Sequence, residues 1–144
     1  MYNRYRDSRV RELCHGVKER DPVAIREMAD YFLNLDIITS NSILIPAPQH
    51  EGRAIYTKEI AEIIARQTGC RIADILKSAP RKPLYEQKKL KQKMALGFYL
   101  EGRVDGDEVY FLDNMIDTGT TYREANRLLN GILRPLVYAV VGTR

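Results

Sequence analysis

Nine consecutive residues, Asp113-Asn114-Met115-Ile116-Asp117-Thr118-Gly119-Thr120-Thr121, combine carboxylates, an amide, a glycine and three hydroxyls. They follow the apolar run Val109-Tyr110-Phe111-Leu112 and precede Ala125, Leu128, Leu129 and Ile132, which recur at helical spacing. A strand ending at 112, a loop and a helix start are therefore expected in that order. Glycine lets backbone approach a ligand closely, hydroxyls donate, and the free N–H groups of a helix start favour an anion. Carboxylates at the strand end can accept hydrogen bonds from sugar hydroxyls. The combination suits a phosphorylated sugar. An ordinary polar turn with a Thr cap would use the same threonines, so the hydroxyls alone do not decide between the two. A Walker-type loop is excluded, because no Gly-Lys-Ser/Thr stands at the required spacing from a glycine.

Charge is the second chemical signal. Residues 81–93 carry six Lys and Arg against Glu86, while residues 101–117 carry six Asp and Glu against Arg103. Two solvated loops would look like this. A sharper reading lets the basic block meet a polyanion and the acidic block hold a partner rich in hydroxyls.

These residues need a frame, and the rest of the chain supplies one. Asp21-Pro22 is an N-cap followed by proline at the first helical position, opening an amphipathic helix over 22–34. Val10, Leu13, Cys14 and Val17 suggest an earlier helix. Ser42-Ile43-Leu44-Ile45-Pro46-Ala47 reads as a buried strand opening into a loop. Ile60, Ile63, Ile64 and Gln67 mark a helix stopped by Gly69. Residues 72–76 read as one strand, 97–100 as another, and 136–141 as the last. Between the second and third lies a long polar stretch, of the kind that is often functional. Alternating strands and helices imply a single-domain α/β fold, an open parallel sheet flanked by helices, with right-handed crossovers and a long mobile loop. Ligands of such sheets sit beyond the carboxyl ends of the strands, here after Ala47 and after Leu112.

Taken whole, the string of an apolar strand, two acidic or amide residues, two apolar residues and Asp-Thr-Gly-x-Thr resembles the signature of type I phosphoribosyltransferases. These proteins bind 5-phosphoribosyl pyrophosphate (PRPP). Ile45-Pro46-Ala47-Pro48-Gln49-His50-Glu51-Gly52-Arg53 and Arg81-Lys82-Pro83-Leu84-Tyr85-Glu86-Gln87-Lys88-Lys89-Leu90 are similar to the first-strand loop and the mobile loop of the ComF-like branch, which is associated with DNA uptake. The likeness covers about residues 17–143 and is most specific over 109–121. The chain lacks that branch's cysteine-rich zinc module. It has Arg53-Ala54-Ile55-Tyr56-Thr57 where the branch tends to Arg-Gly-Phe-Asn-Gln, and Asn114 where a second carboxylate is usual.

The resemblance implies transfer of a phosphoribosyl group from magnesium-PRPP to a nucleobase or related acceptor, with release of pyrophosphate. It assigns Thr118, Gly119, Thr120 and Thr121 to the phosphate, Asp113 and Asn114 to the ribose hydroxyls, and Asp117 to the proton of the acceptor as well as to PRPP. Such a base needs its pKa raised by burial. Arg53, with backbone N–H groups of residues 47–52, would meet the pyrophosphate. His50 is a secondary candidate there, since a lone histidine in a polar loop is more often a bystander. Arg81, Lys82, Lys88 and Lys89 would fold over the site as a lid. Mg2+ would bind mainly through PRPP oxygens, without a dedicated protein metal site. A reduced hood over the acceptor would come from residues 1–40, where Tyr2, Tyr5, Tyr31 and Phe32 offer stacking surfaces.

Length and composition agree with one soluble domain. The 144 residues carry a net charge of +4, 44% hydrophobic and 29% charged residues. No apolar run approaches the ~20 residues needed to cross a bilayer, and no signal peptide opens the chain. Cys14 and Cys70 are too few for a disulfide scaffold or zinc ribbon, which points to the cytoplasm. No membrane partner is expected, and a homo-oligomer is left open. The alternative class is a PRPP-binding or ComF-like accessory module without turnover, for which the basic block could touch nucleic acid.

Overall fold

The computed structural model describes residues 3–79 and 97–141, so the lid residues Arg81, Lys82, Lys88 and Lys89 lie outside the described part. The elements run β1 (Asn3–Arg4), α1 (Ser8–Lys18), α2 (Pro22–Asn34), β2 (Ile43–Pro46), α3 (Tyr56–Thr68), β3 (Arg71–Ile72) and β4 (Leu76–Ser78). After the gap come β5 (Phe98–Leu100), β6 (Val109–Ile116), α4 (Thr120–Leu128) and β7 (Arg134–Val140). The fold is α/β: a five-stranded parallel sheet in the order β1-β7-β6-β2-β3, with helices on both faces.

Alternation along the central strands sorts the core into two layers. Leu44, Tyr110, Leu112, Leu136 and Tyr138 pack against α1, α2 and α3. Ile43, Ile45, Val109 and Phe111 pack instead under α4 and the β4–β5 pair. Phe32 is fully buried and Tyr31 lies edge-on to Tyr138 at 4.8 Å. Both therefore belong to the first layer, and neither lines the cavity described below. Gly16 lets α1 and α2 meet closely, since a Cβ there would sit 2.7 Å from that of Ala24. Asp21 accepts from the Val23 N–H at the start of α2, and Gly69 takes φ +76 to end α3, as the sequence implies.

Four expectations need correction. Residues 72–76 are not one strand. Arg71–Ile72 pairs with β2, but β2 soon leaves the sheet through Pro46 and Pro48, which lack the N–H that pairing needs. The chain then turns at Asp74, held by Lys58 and Lys77, so that Leu76 enters the other layer. Second, β4 and β5 form a separate antiparallel pair rather than extending the parallel sheet. Third, β6 runs four residues beyond Leu112, because β7 continues beside it with Asp113 opposite Val137 and Ile116 opposite Val140. Fourth, α4 stops at Leu128, because Asn130 and Gly131 both take positive φ, and Leu129 and Ile132 pack from the turn instead. The two-residue β1 also adds an edge strand that no pattern announced. Among the described residues, no helix is long and apolar enough to cross a membrane.

Candidate functional site

The chain leaves β2 toward β3 on one side of the sheet and later enters β6 on the other, so the carboxyl ends of β2 and β6 form a switch point. A cavity of about 480 Å³ opens there. Its walls come from the β6–α4 segment, the loop after β2, the start of α3 and the joint between α1 and α2. The volume suits a small phosphorylated ligand.

Eight expected residues meet in this cavity: His50, Asp113, Asn114, Asp117, Thr118, Gly119, Thr120 and Thr121. Gly119 takes φ +83 and, as the N-cap residue of α4, makes no side-chain cap bond. Of the first N–H groups of the helix, that of Thr120 donates to the Thr118 hydroxyl at 3.4 Å, while that of Thr121 has no partner among the described residues. The Thr118 and Thr120 hydroxyls lie 2.7 Å apart. Arg123 folds back over this turn, donating to the Thr118 carbonyl at 2.9 Å and toward the Thr120 hydroxyl at 3.4 Å. A cation in the first turn of a helix opposes the dipole unless an anion joins it. That misplaced charge is the sequence signal for Arg123.

Asp113 and Asn114 lie within β6 and not in the loop after it. Asp113 is part-buried, and its Oδ1 accepts from the Asn114 N–H at 2.8 Å. Burial pushes its carboxyl up to about 7, although the Asn114 and Met115 amides and the Lys18 charge pull the other way. Asn114 is 2% exposed, and its Nδ2 has no hydrogen-bond partner among the described residues. A buried donor left unpaired costs about 1–3 kcal/mol, a cost that a ligand oxygen would remove. Asp117 lies exposed at the lip, so the burial expected of a base is found at Asp113 instead.

The loop after β2 is held by Gln49, which is buried. Its Nε2 donates to the Ala47 carbonyl at 2.8 Å and its Oε1 accepts from the Ile55 N–H. Thr57 donates to the same Ala47 carbonyl at 2.7 Å. Of the N–H groups expected to meet pyrophosphate, those of Ala47, Gln49 and Gly52 are already bonded to backbone carbonyls. Those of His50 and Glu51 have no partner among the described residues. His50 lines the cavity and sits 3.5 Å from the Glu51 carboxylate. Arg53 is exposed and its side chain is outside the lining.

The sequence reading missed Lys18, Arg20 and Tyr56, which line the cavity from α1, the α1–α2 joint and α3. Burial lowers the Lys18 pKa, opposed by Asp113, and raises that of Tyr56, reinforced by Asp113 and Glu51. Only tertiary packing brings these three to the site. Residues 1–40 thus reach the cavity through Lys18 and Arg20.

Among the described residues, no group of three or more His, Cys, Asp or Glu side chains could hold a metal ion. A Mg2+ held mainly by a ligand's own oxygens would need only one or two carboxylates, and Asp113 and Asp117 both line the cavity. Compared as a whole, the chain matches no family model, no curated protein and no solved structure.

Proposed function

We propose that this chain is a phosphoribosyltransferase that binds magnesium-PRPP and transfers its phosphoribosyl group to a nucleobase or related acceptor. The observation that carries the reading is the threonine-rich start of α4 at Gly119, beside Asp113 and Asn114 at the switch point of a parallel sheet. Backbone N–H groups and threonine hydroxyls there suit the 5′-phosphate. Asp113 and Asn114 suit the ribose hydroxyls. The acceptor attacks the anomeric carbon, the bond to diphosphate breaks, and diphosphate leaves with the electron pair. The acceptor's proton passes to a base, for which the resemblance gives the exposed Asp117, while the burial that suits a base is at Asp113. Holding both ends of the sugar and excluding water are the protein's main tasks, since hydrolysis competes. Bound magnesium supplies charge neutralisation at the leaving diphosphate.

Pyrophosphate release from PRPP, measured across a panel of nucleobases and related acceptors, is expected with at least one acceptor and not without any. PRPP binding with no release on any acceptor would instead select a binding or DNA-uptake accessory module. The amide at Asn114, in place of a second carboxylate, favours that second reading.

Asn114 also yields a direct test. Aspartate there gives up the Nδ2 donor but offers a charged acceptor, which strengthens a hydrogen bond from a ribose hydroxyl from roughly 0.5–1.5 to roughly 1.5–3 kcal/mol. Asn114→Asp should therefore tighten PRPP binding about fivefold with magnesium present. Without the metal, repulsion from Asp113 should cancel the gain or reverse it. Titration in both conditions checks this; equal binding by both proteins would mean that Asn114 does not face the ribose.

A further inference from the structure

Lys18 adds a cation to the cavity besides the start of α4. Lys18 closes α1 and lines the cavity, yet it makes no ion pair or hydrogen bond among the described residues. The other cations nearby are differently engaged. Arg20 is tied to Glu59 at 2.7 Å, Arg123 bonds the α4 turn, and Arg53 lies outside the lining.

The position of Lys18 is fixed from below. Val10, Leu13, Cys14 and Val17 anchor α1 on the sheet, and Gly16 locks it against Ala24. The joint after Lys18 is equally constrained: Arg20 takes φ +62 and its N–H donates to the Val17 carbonyl at 2.9 Å. A non-glycine residue held at positive φ beside a cavity marks a segment that its surroundings over-determine. The frame thus presents an ammonium that makes no ion pair among the described residues, although the Asp113 charge attracts it. The unpaired His50 and Glu51 N–H groups line the same cavity. Two carboxylates also line it there: Asp113, and Glu51, which sits beside His50. One ammonium with two successive amides offers donors for several oxygens, which a diphosphate supplies and a single carboxylate does not.

We propose that Lys18 binds the diphosphate end of the phosphosugar, opposite the end held at the start of α4. This assignment rests on the phosphoribosyltransferase reading and gives the N-terminal helix a direct part in substrate binding.

Calorimetric titration of wild type, Lys18→Gln and Lys18→Arg with three probes tests it: magnesium-PRPP, magnesium pyrophosphate and ribose 5-phosphate. Lys18→Gln is expected to weaken PRPP and pyrophosphate about tenfold while leaving ribose 5-phosphate within about twofold, and Lys18→Arg to restore most of the loss. The protein should still fold, because the Lys18 side chain makes no ion pair or hydrogen bond among the described residues and the change removes only its attraction to Asp113. If Lys18→Gln binds PRPP like wild type, or loses ribose 5-phosphate equally, the assignment is overturned while the phosphosugar site stands. Wild-type protein that binds none of the three overturns both.

Discussion

Asp113→Asn is expected to make the folded protein more stable at pH 8 by about 2–4 kcal/mol while weakening its hold on PRPP. The ordinary carboxyl pKa of 3.8 rises to about 7 in the fold, chiefly because burial disfavours the charge. Below pH 3.8 both folded and unfolded chains keep the proton, and the group adds no pH dependence. Between 3.8 and 7 the unfolded chain has lost it and the folded chain retains it, so stability falls as pH rises. Above 7 the cost is constant. Each tenfold change in proton affinity is worth about 1.4 kcal/mol, giving about 4 kcal/mol in full, discounted because Asp113 keeps some access to the cavity. Asparagine has no such titration, and its oxygen can still accept from the Asn114 N–H. Thermal melts at pH 5 and pH 8 should show wild type losing ground to the variant, by on the order of 10 °C in Tm at the higher pH. Parallel stability curves would show that Asp113 is not desolvated in the fold. The same substitution should weaken magnesium-PRPP binding about tenfold, since a neutral acceptor replaces a charged one. A site carboxylate whose removal stabilises the fold is held there at a thermodynamic cost.

The elements that were legible in the sequence are those whose signals are local. Asp21-Pro22 starts α2 by a capping rule, Gly69 ends α3 by a backbone rule, and 109–112 is too apolar to be anything but a central strand. The errors arose where the partner decides the outcome. Nothing in Asp113-Asn114-Met115-Ile116 announces a strand; those residues extend β6 because β7 lies alongside. Residues 72–76 look continuous, but β2 offers them only two pairings before its prolines. The site divides in the same way. The 113–121 string is contiguous, and contiguity made it readable. Lys18, Gln49 and Tyr56 act through positions that only folding creates. Gln49 could not be distinguished from a ligand contact, because a buried amide strut and an exposed amide look alike in sequence.

Gly119→Val is expected to reduce PRPP affinity at least about 100-fold in a protein that still folds. Two effects combine at this position. The backbone sits at φ +83, which a β-branched residue adopts only at a cost of about 1–3 kcal/mol. A Cβ would also lie 2.8 Å from the Arg123 guanidinium, but that group is the far end of a flexible side chain and can move aside. Stability should therefore fall by the backbone term, which a typical 5–15 kcal/mol of folding free energy can absorb. Binding suffers more. If the turn relaxes to negative φ, the N–H groups at 119–121 rotate away from the phosphate. If it does not, the isopropyl group sits beside them. Losing two charge-assisted bonds at roughly 1.5–3 kcal/mol each accounts for about 100-fold or more. Gly131 provides the control, for it has φ +79 with nothing within 4 Å of a built Cβ. Gly131→Val should show a similar drop in Tm, with PRPP binding unchanged. Calorimetry and melting curves on both variants separate strain from recognition. A folded Gly119→Val protein that binds PRPP as tightly as Gly131→Val would remove the 117–121 turn from the phosphate site and, with it, the phosphoribosyltransferase reading.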